Sequence, residues 1–254
     1  LQIGRVVGDR NLGLARRARA GRRRRTSGDL RQLVLRAGLP LRKGDEIVAR
    51  LGAPPGSLVL DAGCGSCAKS VLLAARGLNV VGVDFSQRAL ELGVETVRGH
   101  GLEDRVVLCR EDLLHLSFQD AAFRFAVCWG VLMHVPSLDE AVAELARVLA
   151  PAGFLAVSEG NMRSAQSIGI RLAKRLAGRN RGVVRRTPVG LECLEESQEG
   201  ILLTRQIDVP AFAALCGRHG LRLRHRIAGQ FTELYAIEQS RRSQHLVHVI
   251  NRLW

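Results

Sequence analysis

The sequence predicts an α/β fold built on a doubly wound, mostly parallel sheet. Between residues 57 and 159, short continuous apolar runs alternate with amphipathic helical patterns, which is typical of parallel strands covered on both faces. Hydrophobic residues make up 46% of the 254-residue chain and charged residues 24%, the proportions of an ordinary globular protein. The chain therefore has enough apolar material for a sizeable core.

The predicted elements follow one another in a regular order. Residues 29–36 and 43–51 are predicted as short helices, the second ended by the Gly/Pro turn at 52–56. Five strands are then expected, at 57–62, 79–84, 105–109, 123–129 and 153–159. The helices between them are expected at 68–76, at 86–98, and from a capping box at Ser137 and Glu140 to Pro151.

The part after the fifth strand follows a different pattern. Residues 160–205 are basic and only loosely periodic, which predicts an insertion after the fifth strand. Asp208 is expected to cap a helix ending near Gly220, followed by a hairpin of strands at 221–226 and 231–237. The predicted organisation is one domain over 29–238 with the insertion inside it, and an amphipathic helix at 239–254.

Positive charge is concentrated in two stretches of the chain. The formal net charge is +14, and only three of the 38 basic residues are lysines. Residues 1–28 carry one basic cluster and no sustained apolar period, so they cannot bury enough surface to order themselves. Three interpretations stay open for them: a disordered arm, a stretch foreign to the native protein, or a tether to nucleic acid or membrane.

Membrane and secretory classes are not favoured by the sequence. The longest apolar stretch, 125–133, is far shorter than the roughly 18 residues of a spanning helix. The first residues contain arginines where a secretory signal has its apolar segment. Six cysteines are few for this length, which indicates a reducing, cytoplasmic location.

The most informative motif is the run Val59-Leu-Asp-Ala-Gly-Cys-Gly65, a strand leading into a glycine turn and a helix. Asp84 ends the next strand 19 residues after Gly65, the spacing at which an acid holds a ribose diol. This predicts an adenosine-containing ligand. Asp61 would repel the pyrophosphate of NAD but attract an ammonium or sulfonium group, so electrostatics favours S-adenosylmethionine.

At this point the chain resembles the class I S-adenosylmethionine-dependent methyltransferases over roughly residues 45–237. Five motifs in order carry the resemblance: 59–65, 81–86, 110–118, 125–136 and 149–153. The resemblance implies a Rossmann-like, seven-stranded sheet whose last two strands form a hairpin. It also implies that Asp61 helps to hold the methionine ammonium, Asp84 the ribose hydroxyls and Asp112 the adenine amino group. The full predicted cofactor set is Asp61, Ala62, Gly63, Cys64, Gly65, Asp84, Phe85, Glu111, Asp112, Leu113 and Trp129.

Two positions depart from the family pattern. Cys67 replaces a customary glycine, and Arg124 stands where an Asp commonly opens the fourth strand. Cys64 and Cys67 also match a C-x-x-C motif, but the chain has no second pair, so no metal is predicted.

Candidate catalytic residues follow the fourth and fifth strands. His134 is either a general base or a residue that closes the loop before Pro136. Glu159 either orients an acceptor hydroxyl or marks a solvated strand end. The methyl donor is already activated, so alignment can supply most of the acceleration and no triad is required.

The second basic cluster, 163–186, bears on the acceptor. It contains eight basic residues and no acid, and it is predicted either as a lid that selects an anionic acceptor or as a solvated face. Arg185 and Arg186 are the substrate-binding candidates, because arginine binds phosphate or carboxylate bidentately.

The predicted function is methyl transfer from S-adenosylmethionine to oxygen of a small or lipid- or glycan-linked acceptor. One alternative is an RNA methyltransferase, although an aromatic content of 4% disfavours nucleic acid as partner. The other is a cofactor-binding protein without catalysis. The helix at 239–254, through Arg252 and Trp254, is a candidate for peripheral membrane contact.

Overall fold

A computed structural model describes residues 48–176, 182–197 and 200–226. The chain divides into two compact units, and the boundary in the sequence falls between Glu159 and Gly160, where the predicted insertion begins. Residues 48–51 are helical, in agreement with the end of the helix predicted over 43–51. The predicted arm at 1–28, the helix at 29–36, the strand at 231–237 and the helix at 239–254 lie outside the described residues.

The first unit is a parallel sheet with helical connections. Its strands are β1 (Leu58–Ala62), β2 (Asn79–Asp84), β3 (Val106–Arg110), β4 (Phe123–Trp129) and β5 (Leu149–Ser158). Its helices are α1 (Ala68–Ala75), α2 (Gln87–Gly99) and α3 (Leu138–Val148). The strand order is β3-β2-β1-β4-β5, and every neighbouring pair is parallel. The predicted doubly wound arrangement is confirmed.

The core of this unit lies around the central strands. Val59, Leu60 and Ala62 of β1 are completely buried, because a central strand in such a sheet is covered on both faces. Helix α3 buries the apolar face predicted for it: Leu138, Ala141, Val142, Leu145 and Val148. Burial of this kind stabilises the unit by about 1.5–3 kcal/mol for each large aliphatic side chain.

The start and end of α3 differ from the prediction. Ser137 is its N-cap residue, but the Ser137 side chain makes no capping hydrogen bond, so the predicted capping box is wrong. The Ser137 carbonyl accepts the Ala141 N–H at 3.2 Å and begins the helix through the backbone alone. Strand β5 starts directly after the helix, at Leu149, four residues earlier than predicted.

The second unit contains strands that the sequence analysis did not predict. Its elements are α4 (Ala165–Leu176), β6 (Gly182–Thr187), β7 (Gly190–Ser197), β8 (Gly200–Ile207) and α5 (Val209–Arg218). The three strands form an antiparallel sheet in the order β6-β7-β8. All three begin within the predicted insertion at 160–205, for which the loose periodicity of the sequence predicts no particular element.

The seven-stranded sheet is not confirmed. The described residues contain five parallel strands and a separate three-stranded antiparallel sheet. Residues 221–226, predicted as the first strand of a hairpin, form no strand. They alternate leucine with arginine and histidine, and Leu223 is 63% exposed, so they bury no continuous apolar face that would hold them in a sheet.

Three charged side chains cross the antiparallel sheet in register. Arg185, Glu192 and Arg205 are paired across β6, β7 and β8. Glu192 accepts from Arg205 Nε at 2.9 Å and from Arg185 Nε at 2.7 Å. Arg205 is 2% exposed and Glu192 4%. Burial raises the pKa of Glu192, but the hydrogen bonds from the two arginines outweigh it and hold the pKa below its ordinary value.

Helix α5 confirms the helix predicted after Asp208. Asp208 is its N-cap residue, but the Asp208 side chain makes no capping bond. It accepts instead from Arg163 Nε at 3.0 Å and from Arg163 Nη2 at 2.5 Å.

Over the part of the chain with assigned structure, no helix has both the length and the apolar character needed to cross a bilayer.

Candidate cofactor site

Backbone hydrogen bonds hold the glycine turn after β1 against the end of β2. The N–H groups of Gly63 and Cys64 both donate to the Val83 carbonyl at 2.8 Å. A Cβ atom on Gly63 would lie 2.3 Å from Val131 Cγ2, so any larger residue would displace the loop after β4. The backbone of Gly63 also has a positive φ of 77°, which glycine adopts without strain.

Asp84 joins this turn to the second motif. Its Oδ2 atom accepts the Gly65 N–H at 2.9 Å, and its Oδ1 atom accepts the Ser86 N–H at 2.9 Å. An ionised carboxylate offers about four acceptor positions, so two are used by the backbone and two are left for a ligand. The side chain is only partly buried. A vicinal diol placed at the end of β2 would find acceptors already oriented.

Asp61 lies beneath the turn and is almost fully buried, at 1% exposure. Ser70 Oγ donates to its Oδ2 atom at 2.6 Å. Burial raises the pKa of Asp61 to about 6, while the hydrogen bond from Ser70 and the charge of Lys69 act in the opposite direction. A cation bound nearby would favour the ionised form, because it compensates the charge that burial penalises. Ala62 is completely buried, so its side chain is not accessible to a ligand.

The predicted adenine-binding residues gather at the ends of β2 and β3. Phe85 is 75% exposed, which is unusual for a large aromatic side chain and provides an open flat surface. Its carbonyl accepts from Arg110 Nε at 3.1 Å, and the Glu111 N–H donates to the Asp84 carbonyl at 3.1 Å. These bonds hold the two segments together.

The acids of the third motif differ in their surroundings. Glu111 accepts from Ser117, through Oγ at 2.5 Å and through N–H at 3.1 Å, so it shapes its own loop. Asp112 is exposed, and its Oδ1 atom accepts the Leu114 N–H at 3.0 Å. Leu113 is 8% exposed and packs as core beneath them. Of the three, Asp112 is the side chain best placed to meet a ligand.

Glu159 has a role that the sequence analysis missed. Its Oε1 atom accepts the N–H groups of Val131 at 3.0 Å and Leu132 at 2.8 Å. The His134 N–H donates to the Val131 carbonyl at 2.9 Å. Glu159 thus fixes the loop that contacts Gly63 and carries His134. The contact spans 28 residues of sequence, and no local pattern signals it.

The remaining predicted residues are Trp129 at the end of β4 and two cysteines in the glycine turn after β1. The Trp129 ring is half-buried at the end of β4, with Lys69 Nζ 5.9 Å from its centroid. Cys64 and Cys67 are buried thiols whose sulfur atoms lie 3.9 Å apart. Within the described ranges, no group of three or more His, Cys, Asp or Glu residues is arranged to hold a metal ion.

The two arginines predicted to bind substrate lie on β6 of the second unit. Consecutive side chains of a strand point to opposite faces, so Arg185 and Arg186 cannot act together on one anionic group. Arg185 is already paired with Glu192. Arg186 is exposed on the other face of the sheet.

The order β3-β2-β1-β4-β5, with a glycine turn after β1 and an acid ending β2, defines a class of α/β proteins that bind adenosine-containing ligands beyond the carboxyl ends of the strands. Residues 59–153 match the methyltransferase domain family. The chain is 36% identical over 119 residues to methyltransferase GfsG of Streptomyces halstedii, covering 46% of this chain and 43% of that protein. It is 30% identical over 122 residues to 27-O-demethylrifamycin SV methyltransferase of Amycolatopsis mediterranei, covering 48% and 40%.

A solved structure agrees on the fold. The SAM-dependent methyltransferase of Methanosarcina mazei superposes with a TM-score of 0.53 at 24% identity, covering 68% of this chain and 82% of that one. The chain spans less than half the length of the two curated relatives. Residues 59–153 therefore match a methyltransferase domain, in agreement with the family that the five ordered motifs indicate.

Proposed function

We propose that this protein transfers a methyl group from S-adenosylmethionine to oxygen of a small-molecule acceptor. The observation that carries the proposal is the hydrogen-bonded junction of Gly65, Asp84 and Ser86, which presents the remaining acceptor positions of a carboxylate at the end of β2. The match of residues 59–153 to the methyltransferase domain family supports the same cofactor.

The residues present fit this cofactor. The outward acceptor positions of Asp84 suit the ribose hydroxyls, and the open face of Phe85 suits the adenine ring. Asp61 would interact with the methionine ammonium and Asp112 with the adenine amino group. Gly65 has open space where a side chain would stand, so a ligand can approach its backbone closely. The cofactor supplies, when bound, a methyl group on a positively charged sulfur that departs readily.

The chain's own contribution to the reaction is alignment and removal of one proton. We assign alignment to the loop after β4, held by Glu159 at the Val131 and Leu132 N–H groups. His134 follows in that loop and is the candidate general base for an acceptor hydroxyl. Proton removal by a positioned base contributes about 10²–10⁴-fold. Glu159 is therefore a positioning residue, and His134 the candidate catalytic residue.

The acceptor class is argued from the relatives and from charge. The Amycolatopsis relative is a 27-O-demethylrifamycin SV methyltransferase, so its name gives a demethylated rifamycin, methylated on an oxygen, as its substrate. By analogy we assign a small organic acceptor with a hydroxyl group. The positive charge of this chain favours an anionic substituent on it. Nucleic acid is the competing acceptor, and it would show affinity that falls steeply with salt.

The test is a transfer assay with methyl-labelled cofactor against pools of hydroxylated small molecules, lipids and RNA. We expect label in a small-molecule product, and about 10²-fold or greater loss of turnover with His134→Gln at unchanged cofactor affinity. His100→Gln is the matched control. It changes the histidine that directly follows the last residue of α2, and it should keep full turnover. Label in RNA would instead support the nucleic-acid alternative, and cofactor binding without transfer to any pool would support a non-catalytic role.

A further inference from the structure

Cys64 and Cys67 occupy the two ends of one tight turn at the cofactor site. The Cys67 N–H donates to the Cys64 carbonyl at 2.9 Å, and a turn of this kind keeps its end Cα atoms within about 7 Å. A disulfide requires Cα atoms about 4.4–6.8 Å apart. The two Sγ atoms already lie 3.9 Å from each other. The backbone is therefore arranged so that side-chain rotation can bring the sulfurs into bonding distance.

Two glycines make room for the pair. A Cβ atom on Gly93 of α2 would lie 2.5 Å from Cys67 Sγ, and one on Gly82 of β2 would lie 3.1 Å from Cys64 Sγ. Side chains at either position would compete with the sulfurs for space. The thiols thus occupy a niche between a strand and a helix, closed to all but small reagents, with Cys64 at 5% exposure and Cys67 at 0%.

Cys67 adopts a backbone conformation that glycine adopts more easily. Its φ is 67°, in the left-handed region, which costs a residue with a side chain about 1–2 kcal/mol. Strained backbone of this kind is concentrated at active sites, ligand-binding loops and switch regions. The side chain in question is a thiol next to a second thiol, which directs attention to sulfur chemistry.

We propose that Cys64 and Cys67 form a reversible disulfide when the protein meets a peroxide, and that this bond lowers the affinity of the turn for the cofactor. The affinity part rests on the function proposed above. Disulfides that form in reducing compartments are usually transient, with a catalytic or redox-sensing role.

The reaction balances with hydrogen peroxide as oxidant. One thiolate attacks a peroxide oxygen, the O–O bond breaks, and hydroxide leaves to give a sulfenic acid. The second thiol attacks that sulfur, the S–S bond forms, and the S–O bond breaks to release water. Two thiols and one peroxide give one disulfide and two waters. The hydrogen bond between the two thiols lowers the pKa of Cys67, which favours Cys67 as the first nucleophile.

The disulfide would act on the cofactor through Gly65. Both sulfur atoms contact the Gly65 carbonyl, Cys64 Sγ at 3.7 Å and Cys67 Sγ at 3.8 Å. The Gly65 N–H donates to Asp84, so Gly65 links the thiols to the predicted ribose-binding carboxylate. Bond formation removes both S–H donors and draws the sulfurs from 3.9 Å to about 2 Å. The Gly65 carbonyl thereby loses both thiol contacts, which changes how the turn holds Gly65 and its hydrogen bond to Asp84.

The experiment treats the folded full chain with hydrogen peroxide, maps disulfides by peptide mass spectrometry, and measures S-adenosylmethionine affinity by calorimetry before and after. We expect a Cys64–Cys67 cross-link, an affinity lowered about tenfold or more, and recovery with dithiothreitol. Cys67→Gly should show an affinity that peroxide does not change. Cys109→Ser, which removes a thiol on β3, is the matched control and should respond as the wild type does.

Three results would overturn parts of this account in distinguishable ways. Folded protein that forms no Cys64–Cys67 cross-link at peroxide concentrations that oxidise other thiols would overturn the proposal. A cross-linked protein with unchanged cofactor affinity would overturn the coupling. A reduced chain that binds no S-adenosylmethionine would overturn the proposed function and the coupling together, while the mass measurement would still decide the disulfide.

Discussion

At the scale of single residues, Asp61 combines a structural cost with a proposed binding role. Burial raises its pKa from 3.8 to about 6. A raised carboxyl pKa means that the folded protein holds the proton more tightly than the unfolded chain, so this group lowers stability above pH 6 and stops doing so below about pH 4. A carboxylate kept in such surroundings is typical of a functional site.

Asp61→Asn should therefore stabilise the protein at pH 7 and weaken cofactor binding. We expect a free energy of unfolding higher by on the order of 2 kcal/mol, because the penalised charge is removed. The gain should disappear below about pH 4, where the wild-type carboxyl is neutral in both states. Denaturant unfolding at several pH values measures this, with the exposed Asp104→Asn as control. A variant less stable than wild type at pH 7 would contradict the assignment.

Cofactor affinity should depend on pH through the same group. If the ammonium of the cofactor is held by ionised Asp61, bound cofactor lowers the pKa of Asp61, and affinity falls as pH drops through 6. We expect about a tenfold loss between pH 7 and 5. Calorimetry across that range measures it. Equal affinity at both ends of the range would show that Asp61 does not carry the interaction.

At the scale of elements, the antiparallel sheet of the second unit depends on Glu192. Its carboxylate accepts from Arg205, which is 2% exposed, and from the more exposed Arg185. Removal of one partner from a buried ion pair costs about 3–5 kcal/mol, because the other charge stays buried and unpaired. Replacement of both partners by apolar residues is far less costly.

Glu192→Ala should thus lower the free energy of unfolding by about 3–5 kcal/mol. Arg185→Ala should cost less, since its side chain is 62% exposed, and Arg186→Ala on the opposite face should change little. Joint replacement of Glu192 and Arg205 by leucine should recover most of the loss. Thermal unfolding of the four variants decides among these outcomes. Equal stability of Glu192→Ala and Arg186→Ala would contradict the role of the buried pair.

Comparison of the predicted and observed strands shows which elements have a local signal in the sequence. β2 and β4 were predicted with their observed bounds, because a continuous apolar run between turns is a local signal. β6 to β8 were missed, since Arg185, Glu192 and Arg205 place charges inside the sheet where an apolar alternation was sought. Turn signals at Pro188 and Gly200 were present and could have indicated short antiparallel strands.

The cofactor site was predictable only where its residues follow from spacing along the chain. Asp84 and the glycine turn follow from spacing along the chain. The Glu159 contact to the loop after β4 was not predictable, because it joins groups 27 and 28 residues apart. The same holds for the niche around the two thiols, which depends on the packing of α2 against the turn.

At the scale of the whole molecule, the cofactor motifs all lie after residue 57. Removal of residues 1–28 should leave cofactor affinity within about twofold of the full chain, a difference of roughly 0.4 kcal/mol. The comparison is a calorimetric titration of the two proteins side by side. Unchanged cofactor binding with lost transfer to the acceptor would identify the basic arm as a substrate tether. Lost cofactor binding would contradict the separation of arm and domain.

We propose that S-adenosylmethionine binds at the junction of the glycine turn and Asp84. The most direct test of this proposal is calorimetric titration of the full chain and of folded Asp84→Ala with S-adenosylmethionine, with Asp104→Ala as control and NAD as competing ligand. We expect the wild type and Asp104→Ala to bind S-adenosylmethionine equally well. Asp84→Ala should lose about 1–3 kcal/mol of binding free energy. Unchanged affinity in folded Asp84→Ala, or binding of NAD in place of S-adenosylmethionine, would contradict it.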